Sequence, residues 1–160
     1  MDVPVWTKSA NALINREFIS IQANSGYRSS MVDHEAEEFL MEPNASDLAL
    51  GAAILKSLSQ SRFLPLAEAQ SRRERVAELY DAWVAKIMER YSYKSKRAMF
   101  KNMKNCGIYL VEGQIRICPM RHDKLEGWEG LEKSEDVFVP TDAPLEEIGV
   151  ALRLALSRCL

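Results

Sequence analysis

The chain has 160 residues, with 21 Lys and Arg against 23 Asp and Glu, a formal net charge of −2 and 47% hydrophobic residues. This composition is too apolar for a wholly disordered chain, holds no run of about 18 uncharged apolar residues for a membrane helix, and argues against a nucleic-acid binder that relies on bulk positive charge. A chain of this size can bury enough surface without a disulfide or metal staple, and residues 1–160 read as one domain.

The first 35 residues carry few helix signals. Phe18, Ile19, Ser20, Ile21 and Gln22 are β-branched and partly alternating, which predicts a strand ended by Asn24, Ser25 and Gly26. Residues 27–36 read as an irregular or extended connection. Glu38, Phe39, Leu40 and Met41, closed by Pro43, predict a second strand. Ser46 suits the N-cap of a helix reaching about Ser59, with Leu50, Ile54 and Leu58 as its core-facing stripe. The longest signal runs from Leu66 to Tyr91. Val76, Leu79, Tyr80, Trp83, Val84, Ile87, Met88 and Tyr91 follow helical spacing with no Gly or Pro between, which predicts one amphipathic helix.

Ser95 suits the cap of a shorter helix from Lys96 to Lys104. Cys106, Ile108 and Leu110, then Ile115 and Ile117, flank Glu112-Gly113 and predict a hairpin. Residues 119–135 are polar, with Gly127 and Gly130 around Trp128, and read as a loop. Asp136 to Val139 reads as a strand ended by Pro140. Asp142 and Pro144 open a last helix with Ile148, Leu152 and Leu156 as its stripe. The fold class expected is α+β, a mainly antiparallel sheet with helices packed on it.

Two segments resemble each other. Phe39 to Pro43 followed by Leu50-Gly51-Ala52-Ala53-Ile54 parallels Val137 to Pro140 followed by Ile148-Gly149-Val150-Ala151-Leu152. Each reads as strand, proline turn and helix, with Gly in the helix's second turn. Gly costs about 1 kcal/mol there against Ala, so its double use suggests close backbone approach where each helix lies on the sheet. The plainer reading is coincidence between two short β–α units.

Candidate chemistry is sparse. Cys106, Cys118 and Cys159 form no disulfide framework and read as small buried hydrophobes. The N-terminus lacks a basic stretch followed by an apolar one, which together with these thiols suggests a cytoplasmic protein. Cys118 and His122 stand at a Cys-x3-His spacing, but a structural zinc site usually shows two close ligand pairs. No residue is assigned a catalytic role, and no cofactor or metal is expected. Residues 91–104 carry five cations, Lys94, Lys96, Arg97, Lys101 and Lys104, interleaved with Tyr and Phe. They could contact phosphates, or form a solvated helix face, and the charge of the whole chain favours the latter. Acidic residues fall in two groups. One holds Asp33, Glu35, Glu37, Glu38 and Glu42. The other holds Asp123, Glu126, Glu129, Glu132, Glu135 and Asp136 around Trp128. They read either as solvated surface or as a recognition surface for a cationic partner, with an exposed Trp128 as anchor.

Several blocks together carry a family resemblance. Tyr80-Asp81-Ala82-Trp83-Val84, then Arg90 through Met103, Cys106-Gly107-Ile108, His122 through Trp128, and the two Gly-containing helix blocks resemble CdiI-type immunity proteins of contact-dependent growth inhibition systems. The resemblance covers most of the chain beyond about residue 36. It implies a non-enzymatic cytoplasmic protein that binds and neutralises the cognate C-terminal toxin domain of a CdiA protein, often a nuclease, with no direct nucleic-acid or membrane partner. A nuclease carries cationic surface for phosphates. The toxin-binding candidates on that reading are Glu35, Glu37, Asp123, Glu126, Trp128, Glu129 and Glu132. The alternative is a nucleic-acid-associated protein using the basic 91–104 segment.

Overall fold

The computed structural model describes residues 6–160; the first five residues of the stretch read above for a leader lie outside it. Among the described residues, eight strands form one curled antiparallel sheet. They are β1 (Ser9–Ile14), β2 (Ile19–Gly26), β3 (Ser30–Val32), β4 (Phe39–Met41), β5 (Lys104–Val111), β6 (Gln114–Lys124), β7 (Gly127–Gly130) and β8 (Val137–Pro140). The strand order is β3-β2-β1-β5-β6-β7, with β4 also pairing β2 and β8 also pairing β6. The described residues also form five α-helices that pack on it: α1 (Asp47–Gln60), α2 (Leu66–Glu74), α3 (Val76–Arg90), α4 (Lys96–Phe100) and α5 (Leu145–Arg158). The α+β expectation holds.

Local chemistry explains most boundaries. Ser46 Oγ accepts from the Ala49 N–H at the start of α1, and Ser95 Oγ accepts from the Ala98 N–H at the start of α4. The β5–β6 turn puts Glu112 and Gly113 at φ of 50° and 76°, the two left-handed positions of a tight hairpin. Alternation along β1, β2, β5 and β6 sends Ala10, Ala12, Ile19, Ile21, Cys106, Ile108, Ile115 and Ile117 to one face. There they meet Leu50, Ile54 and Leu58 of α1 and Ile148, Leu152 and Leu156 of α5, which are the helix stripes expected.

The repeat is larger than the sequence signal. Ile19 pairs with Met41 and Ile21 with Phe39, as Ile115 pairs with Val139 and Ile117 with Val137. Asn24 pairs with Val32 as Met120 pairs with Gly130. The halves β1-β2-β3-β4-α1 and β5-β6-β7-β8-α5 therefore share one pairing pattern, joined along β1 and β5 about the Asn11–Gly107 pair. The close approach is made between α1 and α5, not against the sheet. A Cβ on Gly51 would collide with the Leu145 carbonyl, and one on Gly149 with the Asp47 carbonyl.

Other expectations change. The 66–91 segment is two helices, broken at Arg75 (φ −100°, ψ 3°). Arg72 ties α2 to Asp33, while Val84 and Ile87 seat α3 on Phe18, Met99, Phe100 and Met103, so the two point to different anchors. Asn24, Ser25 and Gly26 extend β2 instead of ending it. Helix α4 stops at Phe100, short of Lys104. The 119–135 segment is no loop: β6 runs to Lys124, β7 returns over Gly127–Gly130, and a short 3-10 turn spans Lys133–Glu135. Strands β1 and β3 add to those expected.

Candidate functional site

The second face of the sheet differs from the first. Every residue of β2 is buried, yet Ser20, Gln22 and Asn24 alternate with its apolar residues. Ser20 and Gln22, with Asn11 and Leu13 of β1, turn toward Tyr80 and Trp83 of α3. Between them lies a cleft of about 110 Å³, lined also by Val32 and His34. Asn11 in its lining is the centre of an amide row: Asn24 Nδ2 donates to Asn11 Oδ1 (2.6 Å), and Asn11 Nδ2 to Asn105 Oδ1 (2.7 Å).

Both aromatic residues are held by carboxylates. Trp83 Nε1 donates to Glu38 Oε2 (2.7 Å), which also accepts from Ser20 Oγ (2.6 Å), while Lys86 Nζ binds Glu38 Oε1 (2.6 Å). Burial alone would push the Glu38 carboxyl up, but the hydrogen bonds from Lys86, Ser20 and Trp83 outweigh it and hold the group below the ordinary carboxylate range. Tyr80 Oη donates to Glu126 Oε1 (2.6 Å), which lies 3.3 Å from Lys96 Nζ. Helix α3 thus links the two acidic segments of the sequence, Glu38 through Trp83 and Glu126 through Tyr80.

Behind the cleft, Asp33 is 1% exposed and fully engaged. It accepts from Ser25 Oγ (2.8 Å), Arg62 Nε (3.1 Å), Arg72 Nη1 (2.8 Å) and the Glu35 N–H (3.1 Å). Burial raises its carboxyl, and these donors overcome that and bring it down to about 2. Burial lowers the pKa of the neighbouring His34, so its imidazole stays neutral at neutral pH.

The predicted contact residues meet different fates. Glu35 is exposed and paired with Arg62 (2.9 Å) and Arg72 (2.6 Å). Glu129 lies 3.6 Å from Arg121. Glu37, Asp123 and Glu132 are exposed, and no cationic side chain among the described residues lies within 4.0 Å of their carboxylates. Trp128 is not the exposed anchor expected. It is half-buried beside Phe100, stacks on His122 (4.8 Å between centroids) and donates Nε1–H to the Met103 carbonyl (3.0 Å). Gln22, His34, Glu38, Tyr80 and Trp83 are the residues missed as site members. The signal was polar alternation inside a strand with both faces covered.

The rival chemistries find other arrangements. The basic segment does not present one face: Lys96 meets Glu126, while Lys104 Nζ donates to the Leu156 carbonyl of α5 (3.1 Å). Burial, aided by the Asp136 carboxylate, pushes the Cys118 thiol up to about 11. Cys106 and Cys159 lie with sulfurs 3.6 Å apart inside the α1–α5 core. His122 has its Nε2 against the Leu125 carbonyl (2.8 Å). Among the described residues, no three His, Cys, Asp or Glu are grouped to hold a metal ion, and no helix is long and apolar enough to cross a membrane.

Comparison with known proteins yields one consistent set of relatives. The family described as CdiI, CDI immunity protein, matches residues 8–159. The chain is 42% identical over 166 aligned positions to the immunity protein CdiI-YPIII of Yersinia pseudotuberculosis, covering 94% of each. It superimposes with a TM-score of 0.89 and 40% identity on a chain of the CdiA-CT/CdiI toxin and immunity complex from Yersinia pseudotuberculosis, covering 98% of this chain and 99% of that one. A Neisseria meningitidis protein of unknown function matches with a TM-score of 0.92 and 34% identity over 100% of both chains.

Proposed function

The chain belongs to the CDI immunity protein family, and on that premise we propose that it binds the C-terminal toxin domain of its cognate CdiA protein and neutralises it in the cytoplasm. The observation that carries this reading is the match, along nearly the whole chain, to a member of a toxin and immunity complex. The protein acts by occupancy and not by catalysis. The toxin on this reading is a nuclease, whose phosphate-binding surface is cationic. Glu35 and Glu37 on one side of α3, and Asp123, Glu126, Glu129 and Glu132 on the other, meet that surface and steer its approach. Trp128 supports the second group from beneath.

The test is direct. Expressed with the toxin domain encoded beside it, the chain should co-purify in a stable complex and keep the host alive. A toxin that neither co-purifies nor loses its toxicity overturns the proposal.

A further inference from the structure

The acidic segments say where a basic partner approaches, but the cleft between them is the more specific feature. We propose that this cleft receives a single arginine side chain of the toxin domain; the proposal rests on the toxin-binding reading and names its anchor point.

Size comes first. At about 110 Å³ the cleft falls below the roughly 300–1,000 Å³ of a small-molecule or cofactor site, so one inserted side chain is the natural occupant. Its walls come next. Leu13 and Val32 are apolar, and Tyr80 and Trp83, with ring centroids 6.3 Å apart, present aromatic surface to whatever enters. Planar guanidinium stacks on such surface better than the compact, strongly hydrated ammonium of lysine.

The floor then selects for a donor. Gln22 is 9% exposed. Its Nε2 donates to the Asp33 carbonyl (3.2 Å) and the Ala36 carbonyl (2.9 Å). Two carbonyl partners leave no doubt which end of the amide is nitrogen. Oε1 therefore points the other way, and no donor among the described residues reaches it. The oxygen is open to solvent at the cleft and offers an unused acceptor between apolar and aromatic walls, which favours an occupant that brings a donor. A guanidinium brings five N–H donors and no acceptor, so it can satisfy this oxygen and clash with nothing polar. The surroundings agree in charge. His34 is neutral. The cations nearest the aromatic walls, Lys86 and Lys96, are already bound to Glu38 and Glu126, and Glu37 beside β4 has no cationic side chain within reach among the described residues.

Val32 supplies the test. It is 39% exposed on the three-residue strand β3 at the cleft wall, where substitution should leave the core untouched. Val32→Arg places a cation in the cleft and Val32→Glu places a carboxylate of similar reach. Calorimetric titration with the cognate toxin domain should show Val32→Arg weakening binding by about 100-fold, the loss expected of a central anchor, and Val32→Glu losing about tenfold less than that, because its carboxylate can pair with the entering guanidinium. Alanine at one toxin arginine should reproduce the loss and be non-additive with Val32→Arg. Thermal melts check folding, and Val32→Lys replaces Val32→Arg if the latter melts early. Equal losses for the arginine and glutamate variants would overturn the proposal, because an uncharged side chain then fills the cleft. So would unchanged affinity for both. In either case binding by the parent chain leaves the immunity reading standing, whereas a parent chain that binds no toxin defeats that reading itself.

Discussion

Gly51 of α1 and Gly149 of α5 stand in reciprocal contact: each lies against a first-turn carbonyl of the other's helix, Gly51 on Leu145 and Gly149 on Asp47. Both are buried in helix interiors, where glycine is a poor helix former. Their equivalence follows from the two-fold pairing pattern, since Asp47 and Leu145 are themselves the first residues of the two helices.

Alanine at either position is therefore expected to destabilise the chain despite its better helix propensity. Gly51→Ala and Gly149→Ala each gain about 1 kcal/mol from propensity but force the helices apart, and overpacking typically costs about 1–3 kcal/mol. Urea unfolding should show a net loss for each. The double variant should lose less than the sum, because one displacement of α5 relieves both collisions.

Asp33 gives a pH signature. Its carboxyl is brought from the ordinary range down to about 2 in the folded chain. A depressed pKa contributes stability that is complete above the unfolded value near 4 and is lost as pH falls through the folded value. Asp33→Asn should lower stability by about 2–3 kcal/mol at pH 7. It should also flatten the fall in stability between pH 4 and pH 2. A variant whose urea midpoint tracks the parent through that window would show that Asp33 contributes nothing to acid sensitivity.

Charge reversal on the β6–β7 side probes the approach of the partner. Glu126 is a poor choice, because it tethers Tyr80. Glu129→Lys with Glu132→Lys changes exposed positions only. Stopped-flow mixing with the toxin domain should show association slowed by about tenfold at low salt, with little change in dissociation, as for rim charges. Unchanged association removes this hairpin from the encounter surface.

Cys118 and His122, at a Cys-x3-His spacing, are the pair on which a catalytic alternative would have to rest. With the thiol pushed up to about 11 and the imidazole stacked on Trp128, Cys118→Ala with His122→Ala should still neutralise the toxin. The cost should be about 0.5–1.5 kcal/mol of stability from the lost stacking. Survival assays in the double variant that fall to the level of no immunity protein would reopen a catalytic role.

The apolar stripes of α1, α3 and α5 and the β5–β6 hairpin were readable because each is a local pattern. Strand β1 was not, because its core positions are Ala10 and Ala12 instead of β-branched residues. It is recognised only by having β2 on one side and β5 on the other. The polar end of β6 was hidden in the same way: His122 and Met120 exchange backbone hydrogen bonds with Leu160, the last residue of the chain. The break at Arg75 carries no Gly or Pro, since it arises from anchors, Asp33 for α2 and Phe18 for α3, that lie far away in sequence. At the candidate site, sequence proximity grouped carboxylates but could not say which were already neutralised. Nor could it say that Tyr80 and Trp83, which read as core stripe, wall a cleft.

The two-faced sheet has a consequence for how such a chain can change. Along β1 and β2, one residue presses on the α1–α5 layer and the next turns toward α3 and the cleft. A change of volume at Ile21 disturbs a close-packed interior, whereas a change at Gln22 alters what the cleft admits. On the proposed cleft anchor, recognition and folding are written on alternate letters of the same strands. Among descendants of one ancestor, drift should then follow a beat of two along the chain, letting a new partner be acquired while the scaffold beneath it stays still.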